Sequence, residues 1–239
     1  MAHFFHTFFY TPIYNLLVFF ALYVPGGDIG IAIILVTIIV KLVLLPLSLG
    51  AVRTQKAMKK VEPHLKKIKE VHKDDKEKQA REMMALYKEH GISPFSSFLS
   101  VLIQLPVIFA LYWVFKGQSL PNIDPTLLYS FIHAGSIHTS TLFLGIIDIT
   151  QKNIYLAVVT GLLQMAQGFY TIPLPEKSDS SKPFTAEQDF GRAMTMQMRF
   201  VLPVIIGLVA YTSGGIALYF MTSTIVAIAQ EFFIRKTTV

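Results

Sequence analysis

The 239-residue sequence contains no cysteine, and only 15% of its residues are charged. Without cysteine there is no disulfide framework, no thiolate metal site and no lipid-modified thiol. A soluble domain usually carries about 25% charged residues, whereas here 53% of all residues are hydrophobic. The shortage of charge, and its clustering along the chain, favour segments that span a lipid bilayer over a soluble globular core.

Signatures of several enzyme classes are also missing. The sequence has no phosphate-binding loop of the form GxxxxGK[ST], no HExxH zinc motif and no GxSxG nucleophile elbow. Its 7 histidines fall outside the apolar segments, without a spacing typical of a metal site. We therefore expect a protein that is not an enzyme, needs no metal or other cofactor and cannot itself use ATP.

Apolar segments interrupted by one polar insertion predict an all-α fold, polytopic in a membrane. A bilayer core needs about 20 apolar residues as helix. The shorter apolar run 12–24 has aromatic edges, which predicts an interfacial helix. We predict a single membrane domain over 1–239 with five spans, at about 29–49, 95–115, 154–172, 196–211 and 216–234.

Segment 51–91 differs from the rest because it holds 12 of the 21 basic residues and 7 of the 15 acidic ones. Its apolar residues recur at helical spacing on one stripe. A break is predicted at 72–75, where an aspartate can cap a second helix, and Gly91 predicts the end of that helix. The segment is predicted to be a helical hairpin outside the bilayer. Its charges could dock RNA, a ribosome or anionic lipid, or the hairpin could be a solvated helical pair.

Lysine and arginine are absent from three stretches, 1–28, 117–151 and 212–215. Loops rich in lysine and arginine stay on the cytoplasmic side of a membrane. The hairpin, the loop 173–191 with its basic flank and the C-terminal Arg235-Lys236 are therefore predicted to be cytoplasmic. The result is a five-span topology with the N-terminus outside and the C-terminus inside.

Lys41 is the one charged residue inside the first predicted span. It lies twelve residues after Ile29, about 18 Å along a helix that rises 1.5 Å per residue. A charged side chain at the centre of a span costs about 2.5–3.5 kcal/mol, and no span has an acidic residue near its middle, since Asp28 and Glu231 stand at span ends. Lys41 therefore predicts a water-filled recess or an anionic ligand, unless its side chain extends to the cytoplasmic interface.

Five of the other polar residues within the predicted spans could share a cavity with Lys41. Each one alone is more often a hydrogen bond between helices than part of a site. Together, with one cation and no anion, they predict an amphiphilic groove. They are Thr37, Gln104, Gln164, Tyr219 and Ser223.

Several stretches resemble the YidC/Oxa/Alb family of membrane protein insertases. The first span, IGIAIILVTIIVKLVLLPLSL, resembles the family's opening core helix, and LIQLPVIFALY and GIALYFMTSTIVAIAQEFFIRK resemble its second and last core helices. The hairpin resembles that of the family in its sequence motifs Pro-x-Leu-Lys and Leu-Tyr-Lys-Glu-x-Gly-Ile-x-Pro. The resemblance covers most of the chain, from Ile13 to Lys236, and its motifs occur in matching order.

The resemblance implies a compact bacterial-type insertase of the plasma membrane. Such a protein accepts nascent membrane proteins in a hydrophilic groove that is open to cytosol and lipid and closed outward. Lys41 stands where the family usually has arginine, so the charge is kept but the planar fork that binds carboxylates in pairs is lost. Thr37, Gln104, Tyr219 and Ser223 match groove positions of the family. Candidate partners are the ribosome, a Sec-type translocon and membrane lipids, but not DNA.

Two other functions stay open from the residues alone. A small-solute transporter or channel would use Lys41 as an anion site, although such proteins more often have inverted repeats and broken half-helices, which are not evident in this sequence. An assembly factor that packs spans without a groove would keep water away from Lys41. Water access to Lys41 separates an insertase from the assembly factor.

Overall fold

The structure, a computed structural model, describes residues 2–73, 75–92, 96–116, 123–132, 139–171 and 196–237. The chain divides into two compact units. The first comprises residues 1–42 and 107–239, and the second comprises residues 43–106. The described residues are mostly helical, as the sequence predicted.

The first unit begins with an unbroken helical run. Its parts are Ala2–Phe5 (α1), a π-helical turn over His6–Tyr10, and Thr11–Tyr23 (α2). The π turn lies just before Pro12, which has no N–H to continue the α-helical hydrogen-bond ladder. The predicted interfacial helix 12–24 falls in the second half of this run. The run ends at Pro25–Gly27, where Gly26 adopts a φ of 72°.

Helix α3, Ile29–Val43, is followed by a break at Leu44. The next helix, α4, runs over Leu45–Val71. Pro46 explains the break, because its ring lacks an N–H and collides with the carbonyl group four residues earlier in a continuous helix. The segment predicted as one span, 29–49, therefore contains all of α3 and the first residues of α4.

The second unit contains a helical hairpin made of α4 and of α5, Lys76–Glu89. Asp75 caps α5 by accepting a 2.9 Å hydrogen bond from the backbone N–H of Lys78. His72 Nε2 and Glu82 Oε2 are 2.9 Å apart and join the two helices. Gly91, with a φ of 61°, stands just after the hairpin. Asp74, the other acidic residue of the predicted break, lies outside the described residues.

The remaining helices carry the other apolar segments. They are α6 (Ser96–Lys116), α7 (Ile154–Thr171), α8 (Leu202–Tyr211, preceded by a π turn over Gln197–Val201) and α9 (Gly214–Thr237). Among the described residues, two helical stretches are long and apolar enough to cross a membrane, His3–Tyr23 and Gly214–Phe233. Shorter apolar helices are Ile29–Val43, Gln104–Val114 and Gln197–Tyr211.

The linker before α7 contains a small antiparallel hairpin of Leu142–Phe143 (β1) and Ile147–Asp148 (β2), in which Phe143 pairs with Ile147. The all-α prediction did not include it. Its turn uses positive φ at Leu144 (52°) and Gly145 (72°), a combination that suits the right-handed twist of a hairpin. Strands of two residues are too short to give a period-2 signal in the sequence.

Two apolar clusters form the core of the first unit. The larger joins α2, α3, the second half of α6 and α9, through residues such as Leu17, Ile33, Ala110 and Leu218. The smaller joins α7, α8 and α9 through Leu156, Ala157, Ala210 and Ala217. Helix α9 contributes to both clusters, so it stands at the centre of this unit.

Candidate functional site

Lys41 lies in the last turn of α3, and its side chain is partly buried. Its backbone carbonyl oxygen accepts a 3.3 Å hydrogen bond from Nε2 of Gln230 in α9. This hydrogen bond joins the last turn of α3 to the C-terminal part of α9. The residue that the sequence singled out is therefore beside the C-terminal part of the most central helix.

Thr37, Tyr219 and Ser223 are all buried in the interior of the first unit. Thr37 Oγ1 donates a 2.6 Å hydrogen bond to the carbonyl oxygen of Ile33. Tyr219 belongs to the same apolar cluster as Val36, the neighbour of Thr37. Thr37 lies on α3, and Tyr219 and Ser223 lie on α9. All three are packed in the interior rather than open to a wide cavity.

The hydroxyl oxygen of Tyr219 is buried and has no hydrogen-bond partner within ordinary geometry among the described residues. A buried polar group without a partner costs about 1–3 kcal/mol. Ser223 follows one turn later on the same helix. The interior next to α3 therefore holds a polar atom that could accept water or a polar group of a bound segment.

Gln104 and Gln164 are placed elsewhere. Gln104 is half-buried in α6 and belongs to the second unit, which is described by itself. Gln164 lines a cavity of about 180 Å³ between α7 and the π turn before α8. Of the six predicted residues, the first unit holds Lys41 and Thr37 on α3 and Tyr219 and Ser223 on α9. Gln164 lies on α7, in a separate cavity.

Glu231, which the sequence places at a span end, lies near the C-terminal end of α9. The structure buries Glu231, and its Oε2 accepts a 2.5 Å hydrogen bond from the hydroxyl group of Thr171. It directly follows Gln230, whose side chain contacts the backbone of Lys41. A buried carboxylate is therefore present where the C-terminal parts of α7 and α9 meet. An acidic residue within the apolar run of α9 was the sequence signal for it.

Arg199 is a second buried charge, and the sequence shows it only as a basic residue that follows the loop 173–191. Its Nη2 donates a 3.2 Å hydrogen bond to the carbonyl oxygen of Phe169, and its guanidinium carbon lies 4.7 Å from the centre of the Phe169 ring. Its Nε and Nη1 are buried without a hydrogen-bond partner among the described residues. Because Phe169 is in the last turn of α7, Arg199 also stabilises that helix terminus.

The linker before α7 holds the N-terminal end of α3, the end remote from Lys41. Asp28 caps α3 by accepting a 3.1 Å hydrogen bond from the N–H of Ile31, and its second carboxylate oxygen accepts a 2.7 Å bond from the N–H of Leu144. The linker also pairs with residues 27–29 through Ser140. A side chain at Gly30 would lie 2.5 Å from the Phe143 ring, so the β-hairpin packs closely on α3.

The same linker is bonded to α2 and to the start of α9. Asn15, buried in α2, donates to the carbonyl oxygen of Leu127 and accepts from the N–H of Tyr129, at 2.8 and 2.7 Å. Ser213 Oγ donates a 2.9 Å bond to the carbonyl oxygen of Ile149, which also accepts from the N–H of Gly215. We call the linker residues 123–132 and 139–153 the cap, because they bond to α2 and to the N-terminal ends of α3 and α9.

Fold and site together define a class: a mostly helical, strongly apolar protein with buried polar and charged side chains on its central helix and a cap over one end. A family model described as 60Kd inner membrane protein matches residues 19–239. The membrane protein insertase YidC of Fusobacterium nucleatum is 30% identical over 234 residues, covering 94% of this chain and 97% of that protein.

The same insertase from Clostridium tetani is 29% identical over 213 residues, which cover 89% of this chain and 84% of the relative. That of Francisella tularensis subsp. novicida is 30% identical over 213 residues, 88% of this chain but 33% of the longer relative. This chain belongs to the 60Kd inner membrane protein family of membrane protein insertases. The resemblance found in the sequence is confirmed, as is the expectation of a protein that is not an enzyme.

Proposed function

We propose that this chain is a membrane protein insertase, which moves hydrophobic segments of nascent membrane proteins from the cytosol into the plasma membrane. The observation that carries the proposal is the family match over residues 19–239, to relatives named as insertases. Lys41, on an apolar helix beside the polar part of α9, is the feature of this chain that suits such a task.

The proposed topology has five spans, with the N-terminus outside and the C-terminus in the cytoplasm. It is supported by the lack of lysine and arginine in 1–28, 117–151 and 212–215. It is also supported by the exposed apolar side chains of α7 and α8, because such side chains suit contact with lipid tails. Examples are Val158, Leu162, Val204 and Leu208. The α4–α5 hairpin then lies on the cytoplasmic side.

The proposed client groove is built on Lys41, Thr37, Tyr219 and Ser223 in the first unit. Gln104 and Gln164 stay predictions from the sequence. The burial of Thr37, Tyr219 and Ser223 supports a resting state in which the groove is narrow. The unpartnered hydroxyl group of Tyr219 and the charge of Lys41 would then meet water or polar groups of the client once the helices part.

The cap supports a groove that is closed on the outer side. It is fastened to α2, α3 and α9 by hydrogen bonds from Asn15, Asp28 and Ser213. A client that enters from the cytosol would therefore meet the bonded cap at the far end and leave sideways into lipid. Such a path needs no hydrolysis of ATP.

The driving force of the proposed step is the transfer of the client's apolar surface into lipid, about 25 cal/mol per Å². Polar flanks of the client oppose it, because each must cross the apolar layer. Hydration and the charge of Lys41 lower that barrier for acidic flanks. An acidic group that moves outward also gains about 2.3 kcal/mol per charge for each 100 mV of membrane potential.

Nascent membrane proteins are the partners that insertase function requires. The charged hairpin of α4 and α5 is the proposed docking element for a ribosome or a chaperone, and a Sec-type translocon is a further proposed partner. Exposed charges on both helices, including Lys67, Glu70 and Lys88, suit such transient contacts.

The experiment that tests this function is insertion of a single-span client into vesicles that contain the purified chain. We expect protease-protected client in these vesicles and little in empty ones, with no ATP added after synthesis. Equal protection in both kinds of vesicle would contradict the proposal. Flux of small anions without client protection would instead favour a channel.

A further inference from the structure

The turn between β1 and β2 has an apolar side chain at a position where hairpins usually have a polar one. A 3.0 Å hydrogen bond from the N–H of Ile146 to the carbonyl oxygen of Phe143 closes the turn. Its two central residues, Leu144 and Gly145, have φ of 52° and 72°. Such turns favour Asn-Gly or Asp-Gly, because a bulky side chain is strained at positive φ. The geometry of the turn therefore does not explain Leu144, the only non-glycine residue with positive φ among the described residues.

The side chains around this turn are exposed as well as apolar. Leu142, Leu144 and Ile146 are 46%, 63% and 82% exposed, and the stretch 139–147 contains no charged residue. An exposed apolar patch marks an interaction site or, in water, a risk of aggregation. We call these three residues the apolar tip.

Two contacts place the apolar tip at the level of the helix ends of the first unit. The N–H of Leu144 donates a 2.7 Å hydrogen bond to Asp28, the residue that caps α3. Ile147, the residue after the tip, packs against the cluster that contains Leu156 and Ala157 of the first turn of α7. The tip therefore lies beside the first turns of these helices and does not project away from them.

The length of α7 relates this level to the bilayer. Its 18 residues extend about 27 Å at 1.5 Å per residue, and the hydrocarbon core of a bilayer is about 30 Å thick. If α7 spans the membrane as proposed above, its first turn and the apolar tip lie at the outer boundary of the hydrocarbon core. Ile154 and Tyr155, which are 55% and 81% exposed, add apolar surface at this level, and tyrosine is enriched at membrane interfaces.

We propose that the apolar tip inserts among the acyl chains of the outer leaflet, just below the lipid headgroups, and anchors the cap to the membrane. Acyl chains fit this surface because it is apolar, uncharged and level with the exposed start of α7. Since Asp28 joins the tip to α3, the anchor also holds the outer end of α3 at a set depth. The inference rests on the proposed membrane placement of the helices, but not on insertase activity.

The test measures the depth of single fluorescent labels on the full chain in phosphatidylcholine–phosphatidylglycerol vesicles. Because the chain has no native cysteine, Leu144→Cys and Ile146→Cys each provide one labelled site. The quenchers are iodide in the water and a nitroxide attached high on the lipid acyl chain. An apolar surface inserted at the interface lies about 5–10 Å into the headgroup and acyl boundary, so we expect the nitroxide to quench both tip labels about twofold more than a label at Ser130→Cys, and iodide to quench them about twofold less.

Two control positions separate the outcomes. Ser130 is exposed elsewhere in the cap and serves as the water-facing control. Leu208, 66% exposed on α8 one turn before its end, is the lipid-facing control. If the nitroxide quenches the label at Leu208→Cys but not the tip labels, the apolar tip is not an anchor, and the membrane placement of the helices stands. If it quenches none of them, the placement fails and the inference fails with it.

A pair of variants distinguishes lipid contact from the geometry of the turn. Leu144→Asn introduces a residue that this turn favours, so the hairpin should stay folded, but it removes the apolar side chain. Leu144→Met keeps an apolar side chain. With the label at Ile146→Cys, iodide quenching should rise toward the value at Ser130 in Leu144→Asn and stay low in Leu144→Met.

Tip labels that iodide quenches as strongly as the Ser130 label would overturn the proposal, because the tip would then face water. Tip labels protected from both quenchers would also overturn it, since protein rather than lipid would cover the tip. Equal iodide quenching in Leu144→Asn and Leu144→Met would contradict anchoring through Leu144. Because the readout is depth in the bilayer, a failed insertion assay would leave this result intact.

Discussion

At the scale of single residues, Lys41 separates the functions that the sequence left open. It lies in the last turn of α3, and its backbone carbonyl oxygen accepts a hydrogen bond from the side chain of Gln230 in α9. Substitution of Lys41 can therefore test the functions that the sequence left open. The sequence singled out Lys41, Thr37 and Tyr219 from span patterns and family motifs. It could not locate Glu231 in the interior, because burial depends on how α7 and α9 pack.

Substitution of Lys41 distinguishes an electrostatic role from a side chain that merely extends to the interface. Lys41→Leu should reduce insertion of a client with an acidic translocated flank by about tenfold, the size of one lost charged contact. A client with a neutral flank should be affected less. Lys41→Arg should keep activity, and Lys41→Glu should be the most defective for acidic flanks. The measurement is protease protection of the paired clients.

Lys152→Leu is the matched control for Lys41→Leu, since it removes an exposed basic residue outside the helices. It should insert both clients normally. If Lys41→Leu inserts the acidic client as well as the unaltered chain does, the charge of Lys41 has no electrostatic role.

Asp28 is the residue that joins the cap to α3, and its loss should loosen the cap. Asp28→Ala leaves the N–H groups of Ile31 and Leu144 without their acceptor, which should cost about 1–3 kcal/mol. Asp28→Asn keeps one acceptor and should cost less. Hydrogen exchange should become faster in residues 139–149 of Asp28→Ala, and a lower melting temperature should accompany it. Unchanged exchange there would mean that Asp28 does not hold the cap.

At the scale of elements, the helical hairpin is the part of the chain whose role is most separable. Its two helices are joined by the pair His72–Glu82, and Asp75 caps the second helix. These contacts lie within the hairpin itself. Replacing residues 58–87 by a short flexible linker should reduce insertion while leaving the helices of the first unit folded. Circular dichroism and the melting temperature check the fold, and protease protection checks insertion.

A variant with reversed charges controls for the loss of the hairpin itself. Lys67→Glu together with Lys88→Glu keeps the helices but changes their surface. If docking of a ribosome or chaperone uses this surface, insertion during translation should fall while insertion of a released client stays normal. Normal insertion by both altered chains would make the hairpin a connector only.

The cap is the element that the sequence described least well. The lack of basic residues in 117–151 predicts an outer linker. The hydrogen bonds of the cap to Asn15, Asp28 and Ser213 join parts of the chain that are far apart in sequence. Local patterns carry no information about such pairings. Likewise, the break at Leu44 was missed although Pro46 is a local signal, because the apolar run continues across it.

At the scale of the whole molecule, the five-span topology makes a direct prediction about accessibility. The chain has no native cysteine, so a single introduced thiol reports its own side of the membrane. Ser130→Cys, in the cap, should react with an impermeant maleimide added outside intact cells. Ala85→Cys, exposed in α5, should react only after the membrane is opened. Labelling of both from the outside would contradict the topology.

Sequence alone predicted a mostly helical membrane protein and its family, because apolar length, charge distribution and ordered motifs are properties of the chain itself. Which polar residues share a space is a property of packing. Thr37 is buried on α3 and Tyr219 and Ser223 are buried on α9, whereas Gln164 lines a cavity beside α7 and Gln104 belongs to the second unit. The burial of Arg199 and Glu231 was found only in the folded structure.

The central claim, that clients pass between α3 and α9, is tested most directly by site-specific photocrosslinking to a ribosome-bound nascent membrane protein. A photoreactive amino acid replaces Thr37 or Tyr219 in turn, with the exposed position Val204 on α8 as the control. We predict crosslinks to the apolar segment of the client from Thr37 and Tyr219, and few from Val204. Crosslinks from Val204 alone, or equally from all three positions, would contradict a client path along α3 and α9.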